Sequence, residues 1–169
     1  DSKEELLELV RANLTSKTKM ILLSHVETVT GLRWPIKEVS ELIRGRDILF
    51  IVDGAQAPGM FHIDLQDLGC DVYACSGHKW IMGPKETGIL YLRQGIQDRV
   101  NNVFIAGGYD VYSASSGTRN APIIIGFGDV IDWHMALGTS RIERHCMKLA
   151  KYCYSELKKI KSIKIISPN

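Results

Sequence analysis

Two short apolar runs that each end on polar side chains constrain this chain more than any other feature. The first is Asp47 to Asp53 (DILFIVD), which closes on Asp53-Gly54-Ala55-Gln56; the second, Cys70 to Ser76, closes on Ser76-Gly77-His78-Lys79. Short apolar runs bounded by turn residues read as buried strands. In an open parallel sheet, ligands sit outside the carboxyl ends of the strands. Both polar clusters therefore face one crevice, where a lysine, a carboxylate, a serine and a histidine converge.

The remainder of the chain alternates helix and strand. Asp1-Ser2 with Glu4 and Glu5 has the form of a helix cap, and Leu6, Leu7, Leu9, Val10 and Leu14 give the apolar stripe that follows. A strand is expected at Lys19 to His25, and a short helix opened by Pro35 runs through Ile43 and is closed by Gly45 before the Asp47 strand. In outline this is a right-handed crossover unit. A short element at Asp64 to Leu68 precedes the second strand, and Thr87 to Arg93 forms a further one that alternates weakly and is expected to run antiparallel. Gln94 to Asn120 reads as a long irregular connection, a kind of loop that is usually functional or a subunit contact. Helices are expected from Pro122 to about Leu137 and from Thr139 or Ser140 through Lys159, then a strand at Ser162 to Ile166.

The strand-end residues match what pyridoxal phosphate requires. Lys79 is the candidate for the Schiff base, and Asp53 for the partner of the pyridinium nitrogen, which keeps the ring an electron sink for a carbanion at a substrate α-carbon. Ser76 and His78 are the candidates for the phosphate. Taken singly, each has a plainer reading: Asp53 as a turn cap with Gly54, Lys79 as a surface lysine, His78 as an ordinary surface or core histidine. Their convergence favours the chemical one, because a low dielectric just past a buried strand would favour the neutral amine that imine chemistry needs.

The sequence Asp53-Gly54-Ala55-Gln56, then Ser76-Gly77-His78-Lys79, then Gly83-Pro84-Lys85-Glu86-Thr87-Gly88 resembles the class V aminotransferase family, which includes cysteine desulfurases and isopenicillin-N-epimerase-like enzymes. The resemblance implies an α/β fold, the large domain of a fold type I pyridoxal-phosphate enzyme, with a mainly parallel sheet flanked by helices. It implies that Gln56 donates to the cofactor's phenolic oxygen and that Ser76 and His78 bind its phosphate. The segment from Ser24 to Gly31 resembles the family's His-Val-x-x-x-x-Gly element, with Thr28 where desulfurases carry an asparagine beside the cofactor oxygen. Gly117-Thr118-Arg119-Asn120 resembles a Gly-Thr-x-Asn element that commonly reaches the phosphate of the neighbouring subunit's cofactor, so Thr118 joins the candidate set and a homodimer with a shared site is expected. Otherwise that segment reads as a glycine turn whose Thr or Asn caps the next helix.

On the same basis residues 1–137 form part of the cofactor-binding domain, and 138–169 a connecting helix and the start of a small C-terminal domain. The family's phosphate-binding helix end and ring-stacking residue would precede Asp1. Its carboxylate-binding arginine and the desulfurase cysteine would follow Asn169. The expected function is action at the α-carbon of an amino-acid substrate, by transamination or epimerisation. Thr28 and the Gly-Thr-Arg-Asn segment favour that over the alternative, a cysteine desulfurase or C–S lyase. A non-catalytic dimerisation or interaction module is the alternative of another kind, and the joint presence of Lys79, Asp53, Gln56, Ser76 and His78 argues against it.

Composition narrows the partners. The 169 residues carry 21 basic and 19 acidic side chains, well mixed, so there is no electrostatic footprint for nucleic acid or an anionic membrane. No apolar stretch approaches the length of a membrane span, and the first residues, DSKEELLELV, read as an acidic amphipathic helix start rather than a signal peptide. Cys70, Cys75, Cys146 and Cys153 form neither a CxxC pair nor a cluster with histidine, which argues against a metal site and fits a reduced, cytoplasmic setting. Neither a G-x-x-x-x-G-K-S/T phosphate loop nor a G-x-G-x-x-G turn is present, which disfavours a nucleotide triphosphatase or a dinucleotide-binding domain.

Overall fold

A computed structural model of the protein describes residues 2–100 and 120–168. Helix α1 (Lys3–Asn13) begins with a reciprocal capping box: Ser2 Oγ accepts the Glu5 N–H at 3.2 Å, and the Glu5 carboxylate accepts the Ser2 N–H at 2.6 Å. Strand β1 (Met20–Ser24), helix α2 (Ile36–Leu42), strand β2 (Leu49–Asp53), the single turn α3 (Leu65–Leu68) and strand β3 (Val72–Ser76) follow. Strand β4 (Gly88–Leu92), a 3₁₀ turn at Gln97–Arg99, and helices α4 (Ala121–Leu137) and α5 (Thr139–Leu157) complete the described elements.

The sheet order is β1-β2-β3-β4. The first three strands are parallel, with Ser24 level with Asp53 and Asp53 level with Ala74. Strand β4 is antiparallel to β3, as its weak alternation suggested. One sheet face carries Phe50, Val52 and Tyr73 into a core closed by Ile36, Val39 and Ile43 around α2, with α1 packed beside them. Burying an aromatic such as Phe50 in this way contributes about 1.5–3 kcal/mol. The opposite face is apolar and open in part, and Leu22, which pairs with Ile51, is 62% exposed.

Asp71 fastens the far end of the sheet. It is 8% exposed, its Oδ2 accepts the buried Phe50 N–H at 2.8 Å, and its Oδ1 receives Arg93 Nε at 2.7 Å and Nη2 at 2.6 Å. One carboxylate, just before β3, thereby joins β2 and the residue that follows β4.

The strand expected at Ser162 to Ile166 does not form. A strand exists only through a ladder partner, and none of the described strands lies beside this segment. Gly117, Thr118 and Arg119 lie outside the described residues, as does most of the expected Gln94–Asn120 connection. Asn120 caps α4, accepting the Ile123 N–H through its side chain. No helix among the described residues is long and apolar enough to cross a membrane.

Candidate active site

The carboxyl ends of β1, β2 and β3 are held level by the ladder. His25 N–H donates to the Asp53 carbonyl at 2.8 Å, and Gly54 N–H to the Ala74 carbonyl at 2.8 Å. From this edge three loops leave, carrying Thr28, then Asp53 and Gln56, then Ser76, His78 and Lys79.

Two hydrogen bonds tie these loops together. Gln56 Nε2 donates to Thr28 Oγ1 at 3.2 Å, and Trp80 Nε1 donates to Gln56 Oε1 at 2.9 Å. Gln56 thus bridges the β1 loop and the residue next to Lys79. Asp53 has an exposed side chain whose Oδ1 accepts the Ala55 N–H at 2.8 Å, the turn role its sequence allows. Its Oδ2 has no hydrogen-bond partner among the described residues and remains available as an acceptor. Lys79 is half-buried, Ser76 is half-buried and His78 exposed, and among the described residues none of the three is bonded to Asp53. The structure therefore joins Thr28 and Gln56 directly and brings Lys79 to them through its neighbour Trp80.

The Lys79 turn is rigidly framed. Gly77 N–H donates to the Thr87 carbonyl and Gly83 N–H to the Gly77 carbonyl, both at 2.8 Å, and Met82 N–H closes back on the Lys79 carbonyl at 2.9 Å. Met82 (φ 62°) and Glu86 (φ 68°) hold left-handed backbone conformations that disfavour side chains, a strain of order 1–3 kcal/mol each that clusters at functional sites. Helix α4 supports the turn from behind. Phe127 lies so close to Gly77 that an added Cβ there would meet its ring at 2.8 Å. His134, 6% exposed, has Nε2 2.9 Å from the Ile81 carbonyl. A carbonyl only accepts, so Nε2 carries the hydrogen, and Nδ1 is buried with no hydrogen-bond partner among the described residues.

His25 has a different role from the loop residues around it. It is 2% exposed, with Nδ1 3.0 Å from the Tyr73 hydroxyl and its ring edge-on to Phe61 and Tyr73. Burial, and secondarily the Arg33 guanidinium, pushes His25 down to about 4, and burial raises Tyr73 well above the usual phenol range. This pair is neutral core, lying under the site. Burial likewise raises Cys70 to about 11 and raises Cys75, so these thiols are held protonated. No cluster able to hold a metal occurs among the described residues.

Sequence reasoning placed Asp53, Gln56, Thr28, Ser76, His78 and Lys79 at one edge. It missed Trp80 as a hydrogen-bond donor, and it missed Phe127 and His134. His134 stands 53 positions from Ile81, and no local pattern signals such a contact.

The chain matches the family described as Aminotransferase class-V over residues 1–169. It is 31% identical over 175 residues to a probable cysteine desulfurase of Halalkalibacterium halodurans, covering 96% of this chain and 43% of that protein. It is 30% identical over 186 residues to isopenicillin N epimerase of Amycolatopsis lactamdurans, covering 99% of this chain and 47% of that protein. Among solved structures it resembles the cysteine desulfurase CsdA of Escherichia coli with a TM-score of 0.78 at 23% identity, over 91% of this chain and 42% of that one. The cystine C-S lyase C-DES gives a TM-score of 0.71 at 26% identity, over 79% of this chain and 40% of that one. The fold is thus the mixed α/β, mostly parallel arrangement of fold type I enzymes, and the chain spans less than half the length of the relatives it matches. The match along its whole length, and the relatives at 30% identity or more, show that this chain belongs to the class V aminotransferase family.

Proposed function

We propose that this chain builds the cofactor site of a pyridoxal-phosphate enzyme that acts at the α-carbon of an amino acid, with Lys79 as the lysine that carries the cofactor. The observation that carries this reading is the bonded set Thr28, Gln56 and Trp80 beside Lys79, on the loop that leaves the Asp53 strand end. The donor set fits the group. Asp53 offers an acceptor oxygen for a protonated ring nitrogen, Gln56 and Thr28 offer donors for a phenolic oxygen, and Ser76 and His78 offer donors for a phosphate. When bound, pyridoxal phosphate supplies an electron sink for charge developing at a substrate α-carbon.

The residues of this chain do the rest. Asp53, anchored by its own turn through Oδ1, would offer its Oδ2 to the proton of the ring nitrogen. Lys79, on a turn fixed by the Gly77, Met82 and Gly83 hydrogen bonds, would be the amine that takes up and returns a proton at the α-carbon. Thr118, on the Gly-Thr-Arg-Asn segment, would serve the phosphate of a second subunit in a homodimer. Gly138, between α4 and α5 with φ 81°, would mark the boundary between the cofactor domain and the connecting helix. Four free thiols are in keeping with a cytoplasmic setting.

Sulfur removal from cysteine is the second reading, favoured by the desulfurase among the relatives. It needs a nucleophilic thiolate, a role that the family resemblance gives to none of the four cysteines of this chain, and Cys70 and Cys75 are in any case held as thiols. Thr28, in the place where desulfurases carry asparagine, keeps the α-carbon reading first. The test is absorbance: on addition of pyridoxal phosphate the protein should develop the band of a lysine-bound cofactor, and Lys79→Ala should abolish it. A band that survives Lys79→Ala refutes the assignment.

A further inference from the structure

We infer that Trp80 is a positioning residue, whose indole N–H fixes the orientation of the Gln56 amide so that Gln56 and Thr28 present two donors to a single oxygen acceptor in the site. This rests on the reading of Lys79 as the cofactor lysine, in which that acceptor is the phenolic oxygen.

An amide has a carbonyl end that accepts and an NH₂ end that donates, and left alone it can present either. An indole N–H only donates. With Trp80 Nε1 2.9 Å away, the Gln56 atom facing it must be the carbonyl oxygen, since the reverse orientation would set donor against donor. The NH₂ end is then turned to Thr28 Oγ1, 3.2 Å away. One amide N–H is used in that contact and the other stays free. Thr28, having accepted from Gln56, keeps its own hydroxyl hydrogen to donate elsewhere. Two adjacent donors therefore remain, from two different strand ends, and the indole is what commits them to donate.

The backbone supports the same arrangement independently. Gly59, at φ 94°, packs against the Trp80–Ile81 peptide so tightly that a Cβ there would lie 2.3 Å from the Trp80 carbonyl oxygen and 2.6 Å from the Ile81 nitrogen. The loop bearing Gln56 is thus seated on the turn bearing Trp80 and Lys79. Trp80 is 48% exposed, so filling the core does not explain a tryptophan here.

With pyridoxal phosphate bound, donors to its phenolic oxygen would draw negative charge off that atom, charge that would otherwise hold the proton on the nitrogen joining it to the lysine. Weakening the donors should let the nitrogen keep its proton to higher pH. The experiment loads the purified protein with pyridoxal phosphate, maps the borohydride-fixed lysine, and titrates the absorbance of the lysine-bound cofactor. Trp80→Phe keeps an aromatic ring and loses the N–H; its absorbance midpoint should move to higher pH, the proton being held about 5-fold more tightly, or roughly 0.7 pH unit, as expected for one hydrogen bond. In a Gln56→Ala background the same change should shift nothing further. Should Trp80→Phe not fold, Trp80→Leu removes the same N–H from this half-exposed position with a smaller apolar side chain, and its midpoint should also rise. A wild-type midpoint in Trp80→Phe, or an undiminished shift in the Gln56→Ala background, overturns the inference while leaving Lys79 as the labelled lysine. Absence of label on wild-type Lys79 overturns the cofactor reading and this inference with it.

Discussion

Gly59→Ala should damage this protein far more than the same change at Gly45, although both glycines hold left-handed backbone conformations, φ 94° and 81°. Forcing alanine into that region costs about 1–2 kcal/mol. At Gly45 nothing lies within 4 Å of an added Cβ, so that strain is the whole effect. At Gly59 the Cβ would sit 2.3–2.6 Å from the Trp80 carbonyl and the Ile81 nitrogen, which are backbone atoms and cannot swing aside. Overpacking of this kind adds typically 1–3 kcal/mol. The expected losses are therefore about 1–2 kcal/mol for Gly45→Ala and about 2–5 kcal/mol for Gly59→Ala. At roughly 2–4 °C of Tm per kcal/mol for a chain of this size, thermal unfolding followed by circular dichroism resolves the two. Gly59→Ala should also slow borohydride-trapped labelling of Lys79, because the turn that carries it must shift, and Gly45→Ala should not. Equal Tm values for the two variants would refute the close seating of the Gln56 loop on the Lys79 turn.

Two further effects follow from buried polar groups. Asp71→Ala leaves the buried Phe50 N–H without its acceptor, costing about 1–3 kcal/mol, and frees the half-exposed Arg93, worth at most about 1 kcal/mol. Asp71→Asn, which can keep an oxygen on Phe50, should lose less in urea denaturation, and equal losses would show that Phe50 is not the main partner. His25 folds with a pKa near 4 against an ordinary 6.5, so the unfolded chain binds more protons between those values and stability falls as pH drops through that window. The loss should approach about 3 kcal/mol by pH 4. Denaturation midpoints compared at pH 7 and pH 4.5 should differ less in His25→Gln, and an unchanged pH slope in that variant would assign the acid sensitivity elsewhere.

The parts of the fold legible in sequence were those written in local chemistry. Strands β2 and β3 showed as apolar runs because their side chains share one core, and their polar ends showed because turn residues interrupt those runs. Ser2 and Glu5 announced α1 through a cap that needs only four consecutive residues. The strand expected at Ser162 to Ile166 failed because alternation supplies half a strand and a neighbour supplies the other half. His25 showed only as the end of an expected strand; its place beneath the site depends on Tyr73, 48 positions away. Asp53, Gln56 and Lys79 were legible as a group, while the indole that orders Gln56 was not. A tryptophan beside a lysine says nothing by itself about which loop its N–H will meet.

The central claim is that Lys79 is the cofactor lysine of this site. The most direct measurement is to incubate the protein with pyridoxal phosphate, reduce with borohydride, and locate the modified residue by peptide mass spectrometry. One dominant label on Lys79 is the predicted result. A dominant label on Lys85, or labelling scattered over the surface lysines of a folded sample, would contradict the account.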